Sequence, residues 1–242
     1  MIRSDKRRTL KERAWVAVAK GLPIVLPDDW DAFRLRPQGV PVGHTLGRAR
    51  GTNIPGARIR ECSSMSNRYI RAEVTDFRIA RSDVGDGADV AEVAWKVIEP
   101  MWNTLKTPYE PDERLQTVAT PGQCALYALH WTISEVSNGG FHQYFYNSTG
   151  YLAPEAIAGA ELLGASEYAN VIRRATSIFP SKEALRDLDQ RQQILEQATD
   201  EQIAFLASLD DALYALLESP KQSPEVFVGP YIEAHPEEFF RG

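Results

Sequence analysis

The sequence predicts an all-α fold, a multi-helix bundle with an irregular basic N-terminal appendage, on three observations. Apolar residues recur at three-to-four spacing through residues 90–240. Helix starts in that span carry capping boxes, and helix ends carry glycine or proline. No alternating apolar run between residues 90 and 240 reads as a strand. Two regions are expected: a basic irregular segment over 1–86 and an acidic helical domain over 87–242, with Gly85-Asp86-Gly87 as the boundary.

The N-terminal segment has room for one short helix over residues 5–20. Leu10, Ala14, Ala17 and Val18 lie on one side of it and Gly21 is its stop. Prolines 23, 27, 37, 41 and 55, with the glycines among them, then break up any regular element. Residues 68–80 alternate well enough for one or two short strands.

The texture changes after Gly87. Val90, Val93, Ala94, Val97 and Met101 form a helical stripe over residues 89–106, with Pro100 as a kink or break. Thr120-Pro121-Gly122-Gln123 opens the next helix: Thr120 caps, Pro121 suits the first position and Gln123 reaches back. Leu126, Leu129, Ile133 and Val136 supply its core stripe, and Gly139-Gly140 is expected to stop it. Pro154 starts a helix that Gly164 ends, and Ser166 is expected to cap another with Tyr168, Val171, Ile172, Ala175 and Ile178 on one face. Ser181 caps a further helix with Leu185, Leu188 and Leu195 inward. Thr199 and Gln202 make a second capping box, ahead of Ile203, Leu206, Leu209, Leu213 and Leu216. A last helical stretch carries Phe227, Tyr231, Ile232, Phe239 and Phe240.

Composition narrows the class of protein. With 242 residues, 43% hydrophobic and 25% charged, the chain can bury a self-sufficient core. Cys62 and Cys124 make no disulfide framework and no CxxC occurs, which suits a reducing compartment. Lys11, Glu12, Arg13 and Lys20 interrupt the apolar residues after the basic N-terminus, so no signal peptide is expected, and no run reaches membrane-span length. A cytoplasmic protein without cofactor, and with no membrane partner, is the expectation.

The net charge of −6 conceals an asymmetry. Residues 1–82 hold 17 Lys or Arg against 8 Asp or Glu, and residues 83–242 hold 10 against 25. In the helix from residue 199, Asp200, Asp211 and Glu218 form a narrow stripe opposite the leucines, with Glu201 and Asp210 beside it. Glu183, Asp187 and Glu196 precede them, and Glu225, Glu233, Glu237 and Glu238 follow. These carboxylates serve either as a partner-binding acidic face or as ordinary solvated surface. Duplex DNA presents a charge about every 1.7 Å of axis. Carboxylates four residues apart on a helix are separated by about 6 Å of rise, so imitation of DNA needs several helices.

The most distinctive run is Ser137-Asn138-Gly139-Gly140-Phe141-His142-Gln143-Tyr144-Phe145-Tyr146-Asn147-Ser148-Thr149-Gly150. Phe141, Tyr144 and Phe145 stand at i, i+3 and i+4, the spacing of a core plug, and the amides of Asn138 and Asn147 are expected to satisfy helix ends. This run, with Thr120-Pro121-Gly122-Gln123, the Leu163-Gly164-Ala165 turn and Tyr231-Ile232-Glu233-Ala234-His235-Pro236-Glu237-Glu238-Phe239, resembles the C-terminal helical domain of the bacterial DNA-mimic protein family, over about residues 90–240. That domain was long described as being of unknown function. The resemblance implies an α-helical fold whose carboxylates imitate duplex DNA and occupy a basic DNA-binding partner such as a transcription regulator. On it, Asn138, Gly139, Gly140, Phe141, Tyr144, Phe145, Asn147 and Gly150 are structural motif residues.

Two other functions compete. One is a generic helical interaction module whose partner does not bind DNA. The other is an enzyme or metal site around His130 and His142, with Glu135 between them. Residues 130 and 135 diverge on one helix, no HExxH, GxSxG or P-loop motif is present, and Cys124 reads as inert packing, so catalysis is not expected. The basic segment has three readings of its own. It contacts nucleic acid directly through Arg48, Arg50, Arg58, Arg60, Arg68 and Arg71 with Tyr69 and Phe77, it covers the acidic domain of its own chain, or it is an unselected extension.

Overall fold

The structure is a computed structural model that describes residues 75–105 and 111–242. The helix expected over residues 5–20, the arginine-rich stretch to Arg71 and the first half of the expected strand over 68–80 lie outside the described residues.

Helix α1, Val90–Thr104, starts where the Asp89 carboxylate accepts a hydrogen bond from the Glu92 amide at 2.9 Å. Pro100 lies inside it, and the helix ends one turn later, at Leu105. Ala94, Val97, Ile98 and Met101 are its buried face. The short α2, Arg114–Thr117, is anchored by Asp112, which accepts from the Arg114 amide at 3.0 Å and pairs with its guanidinium at 2.6 Å.

Helix α3, Pro121–Tyr146, is the centre of the fold, and α1 packs against it. Its capping box is complete: the Thr120 hydroxyl accepts from the Gln123 amide at 3.2 Å, and the Gln123 carboxamide accepts from the Thr120 amide at 3.1 Å. The expected stop at Gly139-Gly140 is instead a kink. Gly139 (φ −153°) and Gly140 (φ +82°) leave helical geometry, and the chain resumes a helix at once through Tyr146.

A 3₁₀ segment, Ser148–Leu152, leads into α4, Ala153–Leu162, which crosses α3 closely: a Cβ on Gly159 would come within 2.6 Å of the Ala125 Cα. The chain turns at Gly164 (φ +76°), where the Ala165 amide donates back to the Ala160 carbonyl at 2.7 Å. Ser166 does not cap α5, Ser166–Thr176. Ala165 takes the cap position, so Ser166 is already the first helical residue, and the cap residue makes no side-chain capping bond.

The helix expected from Ser181 to Leu195 is two helices. Ser181 caps α6, Lys182–Arg186, through the Ala184 amide at 3.2 Å. The backbone turns extended at Asp187, whose carboxylate then caps α7, Leu188–Glu196, through the Gln190 amide at 2.8 Å. The break shifts the helical phase. Leu185 and Leu195 are buried as expected, but Leu188 is 36% exposed.

Thr199 and Gln202 form the second capping box and start α8, Asp200–Glu218. Leu206, Leu209 and Leu213 are buried against α3 and α5, whereas Ile203, expected inward, is 44% exposed because it sits at the edge of the stripe. Helix α9, Glu225–Ala234, packs on α1. After a 3₁₀ turn over Pro236–Glu238, strand β2 (Phe240–Arg241) pairs in parallel with β1 (Ile79–Ala80), Ile79 opposite Phe240. Phe77, 1% exposed, joins the same hydrophobic core. The core therefore draws on residues from both sides of the 86/87 boundary expected from sequence. Among the described residues no helix is long and apolar enough to cross a membrane.

Candidate partner-binding helices and the kinked central helix

The glycine-aromatic run is built from both directions. Phe141, Tyr144 and Phe145 are fully buried, and the Tyr144 hydroxyl shares a 2.9 Å hydrogen bond with that of Thr132 on the preceding part of α3. The kink works because a carboxylate from α8 completes it. The Phe141 amide, first of the resumed helix, donates to Asp210 Oδ1 at 2.7 Å. A Cβ on Gly140 would fall on that same carboxylate. One turn along α8, the Tyr214 hydroxyl donates to the Val136 carbonyl at 2.8 Å. Helix α8 is thus tied to α3 on both sides of the kink, and the orientation of its exposed face is fixed.

The C-terminal end of the run is closed by α7. Arg191 is fully buried, and its guanidinium donates to the carbonyls of Phe145 (2.9 Å), Leu185 (2.8 Å), Asn147 (3.0 Å) and Ser148 (3.2 Å). A cation on carbonyls at a helix C-terminus satisfies unpaired acceptors and opposes the negative end of the helix dipole. Burial lowers the Arg191 pKa to about 10, which leaves it charged at neutral pH. Gly150 packs against the Tyr144 and Phe145 backbone beside it. Asn138 is half-buried.

Asn147 does not use its side-chain amide on a helix end, as the sequence suggested. It donates to the buried carboxylate of Glu135 at 2.8 Å, and the Thr149 hydroxyl donates to the same carboxylate at 3.2 Å. Burial raises the Glu135 pKa and these bonds lower it, with burial the stronger. Glu135 is therefore occupied in bracing the turn after α3.

His130 and His142 are engaged elsewhere. His130 packs against Trp95 and Trp102, each with a ring-centroid separation of 5.6 Å, and burial lowers its pKa to about 4. His142 is exposed, with its ring parallel to that of Tyr146. Among the described residues these two histidines and Glu135 do not form a ligand set. The groups that do converge are His235, Glu237 and Glu238. Glu238, however, already accepts from the Gly122 amide at the start of α3 and, at 2.9 Å, from the Tyr231 hydroxyl. Burial pushes the Cys124 thiol up to about 12, which keeps it protonated and unreactive.

The carboxylates singled out by sequence divide into two groups. Glu183, Asp187, Glu196, Asp200, Glu201, Asp211 and Glu218 are exposed, and Glu225, Glu233 and Glu237 are exposed beyond them. Asp210 is half-buried and committed to the kink, and Glu238 is committed to the α3 N-terminus. Glu183 lies below the usual carboxylate range through its own backbone amide and the Ser181 hydroxyl, as does Glu201 through the Thr199 hydroxyl and its own amide. Asp189, exposed in the first turn of α7, was not among the residues singled out; its place just after the Asp187 cap was the available signal.

Cations near these helices are mostly occupied. Arg186 pairs with Glu155 at 2.6 Å, Arg173 pairs with Glu161, and Arg174 lies over the Phe205 ring of α8 at 5.7 Å. Within residues 187–218 the single cation is Arg191, which is buried.

The fold and these residues together define a class: an all-helical domain arranged about a kinked central helix, with carboxylates exposed on the three helices α6 to α8. Residues 119–235 match the family model described as DMP19-like protein, a DNA-mimic family. The match runs from the residue before the Thr120 cap to the end of α9 and leaves α1 outside. No curated protein and no solved structure matches the chain.

Proposed function

We propose that the domain is a cytoplasmic binding protein that presents the carboxylates of α6, α7 and α8 to a basic DNA-binding partner, as a mimic of duplex DNA. One observation carries the reading. Residues 187–218 expose Asp187, Asp189, Glu196, Asp200, Glu201, Asp211 and Glu218, while the only cation among them is withdrawn into the core. A surface that merely confers solubility mixes both signs. The match to DMP19-like protein supports the same reading.

Helix α8 alone falls well short of DNA. Asp200 and Asp211 are separated by about 16 Å of rise, and Asp211 and Glu218 by about 10 Å. Charges on α6 and α7 fill in the face. Each exposed ion pair with a partner contributes about 0–1 kcal/mol, so affinity rests on many acting together and falls as salt screens them.

The test is affinity capture from the native host at low and high salt, followed by anisotropy competition between the captured partner, labelled duplex DNA and this protein. Combined replacement Glu183→Gln, Asp187→Asn, Asp200→Asn, Asp211→Asn and Glu218→Gln should weaken binding steeply. Asparagine at position 187 keeps the α7 cap, so folding is spared. A partner that binds without salt dependence, or is indifferent to the five replacements, overturns DNA mimicry and leaves a generic helical interaction module.

A further inference from the structure

Beside the carboxylates of α7 lies an exposed aromatic pair that stands outside the hydrophobic core. Tyr146, the last residue of α3, is 37% exposed, and His142 is exposed one turn before it. Their rings are parallel to within 9°, with centroids 6.3 Å apart. The Tyr146 hydroxyl donates to Glu196 Oε1 at 3.2 Å, so an aromatic face and a carboxylate are held side by side. Partial burial lowers the His142 pKa, which favours a neutral ring with no charge to repel a cation. All the other large aromatic residues of the run, Phe141, Tyr144 and Phe145, are buried.

The pair is also held rigidly. Arg191 binds the carbonyls of Phe145, Asn147 and Ser148, and Gln192 donates to the carbonyl of Tyr146 itself at 3.0 Å. Four consecutive carbonyls are therefore pinned by two adjacent residues of α7, the helix that carries Glu196. A fixed platform loses little conformational entropy when a partner docks.

We propose that the His142–Tyr146 ring pair, with the Glu196 carboxylate, is a docking point for an arginine side chain of the basic partner. This rests on the reading of α6 to α8 as a surface for a basic protein and adds which cation it selects. A guanidinium is planar, stacks on an aromatic face and presents a fork of donors to a carboxylate, whereas an ammonium is a compact, strongly hydrated point charge. The uniform negative charge of the neighbouring exposed residues on α7 and α8 supplies the complementarity that brings a basic segment there.

Matched fluorescent oligo-arginine and oligo-lysine peptides, titrated by anisotropy against the full chain at low salt, test it. The unaltered protein should bind the arginine peptide more tightly. Tyr146→Ala combined with His142→Ala should weaken arginine-peptide binding about five-fold while leaving the lysine peptide nearly unchanged. His142→Ala alone, at an exposed position, should cost about two-fold, and Tyr146→Phe should retain the preference because the ring remains. Equal affinity for both peptides, or an arginine preference that survives the double replacement, overturns the proposal while the acidic-face reading stands. Failure of both peptides to bind refutes that reading and the proposal together.

Discussion

Asp210 and Asp211 are neighbours in α8 with the same formal charge, yet the structure gives them opposite duties. Asp211 is exposed, and Asp210 receives the Phe141 amide at the α3 kink. Asp210→Ala removes a carboxylate acceptor from the first amide of a helix. A hydrogen bond to a charged group contributes about 1.5–3 kcal/mol, and loss of a helix cap costs about 0.5–2 kcal/mol, so about 2 kcal/mol is expected. With a urea m-value of about 2 kcal/mol/M, the unfolding midpoint should fall by about 1 M. Asp211→Ala should change stability by no more than about 0.5 kcal/mol. Gly140→Ala should destabilise through a side chain at φ +82° and through eviction of the same Asp210 carboxylate. Because Gly140→Ala already breaks the bond, Asp210→Ala should cost about 1–2 kcal/mol less in that background than alone. Urea titrations followed by circular dichroism on the four proteins of this cycle, and on Asp211→Ala beside them, give the answer. Equal midpoint shifts for Asp210→Ala and Asp211→Ala, or strictly additive costs for Gly140 and Asp210, would refute the assignment of Asp210 to the kink.

Other outcomes follow from the same packing. Phe145→Ala should cost about 3–5 kcal/mol, since the ring is fully buried and packs edge-on to Phe179 at 4.9 Å between centroids; an unchanged denaturation midpoint would place it outside the core. Phe77→Ala should cost a comparable amount, and a chain beginning at residue 87 should melt lower than one beginning at residue 75, because Phe77 and the Ile79–Phe240 pairing are then lost. His130 is neutral in the fold, with its pKa lowered from 6.5 to about 4. Between those values the folded chain binds fewer protons at this site than the unfolded chain. Stability should therefore fall as pH drops from about 6.5 to about 4, by about 3 kcal/mol in all, and His130→Gln should remove that part of the pH dependence in denaturation midpoints.

The amino-acid sequence by itself determined where most helices begin and which broad class of fold they make. The capping boxes at Thr120 and Thr199 each need only a residue three positions away, and glycine at position 164 supplies a positive φ from its own chemistry. Such signals are local, so they are legible in a linear reading. The periodicity of α8 likewise placed Asp200, Asp211 and Glu218 opposite Leu206, Leu209 and Leu213, and those carboxylates are exposed. Phase errors arose where a helix was assumed continuous: the break at Asp187 turned Leu188 outward, and the edge position of Ile203 depended on whether a neighbouring helix reached over it.

Tertiary structure alone decided what the polar groups do. Gly139-Gly140 would end a helix in isolation, and it became a kink because a carboxylate 69 residues away caps the resumed turn. Arg191 left the acidic surface because the carbonyls of Phe145, Asn147 and Ser148 were brought to it from 43 to 46 positions away. Glu238 left it because the Gly122 amide lies 116 residues upstream. Whether a charged side chain faces a partner or braces the core depends on which unsatisfied backbone groups surround it. Those groups are gathered by packing rather than by neighbouring sequence, since a buried donor or acceptor must find a partner wherever the fold supplies one.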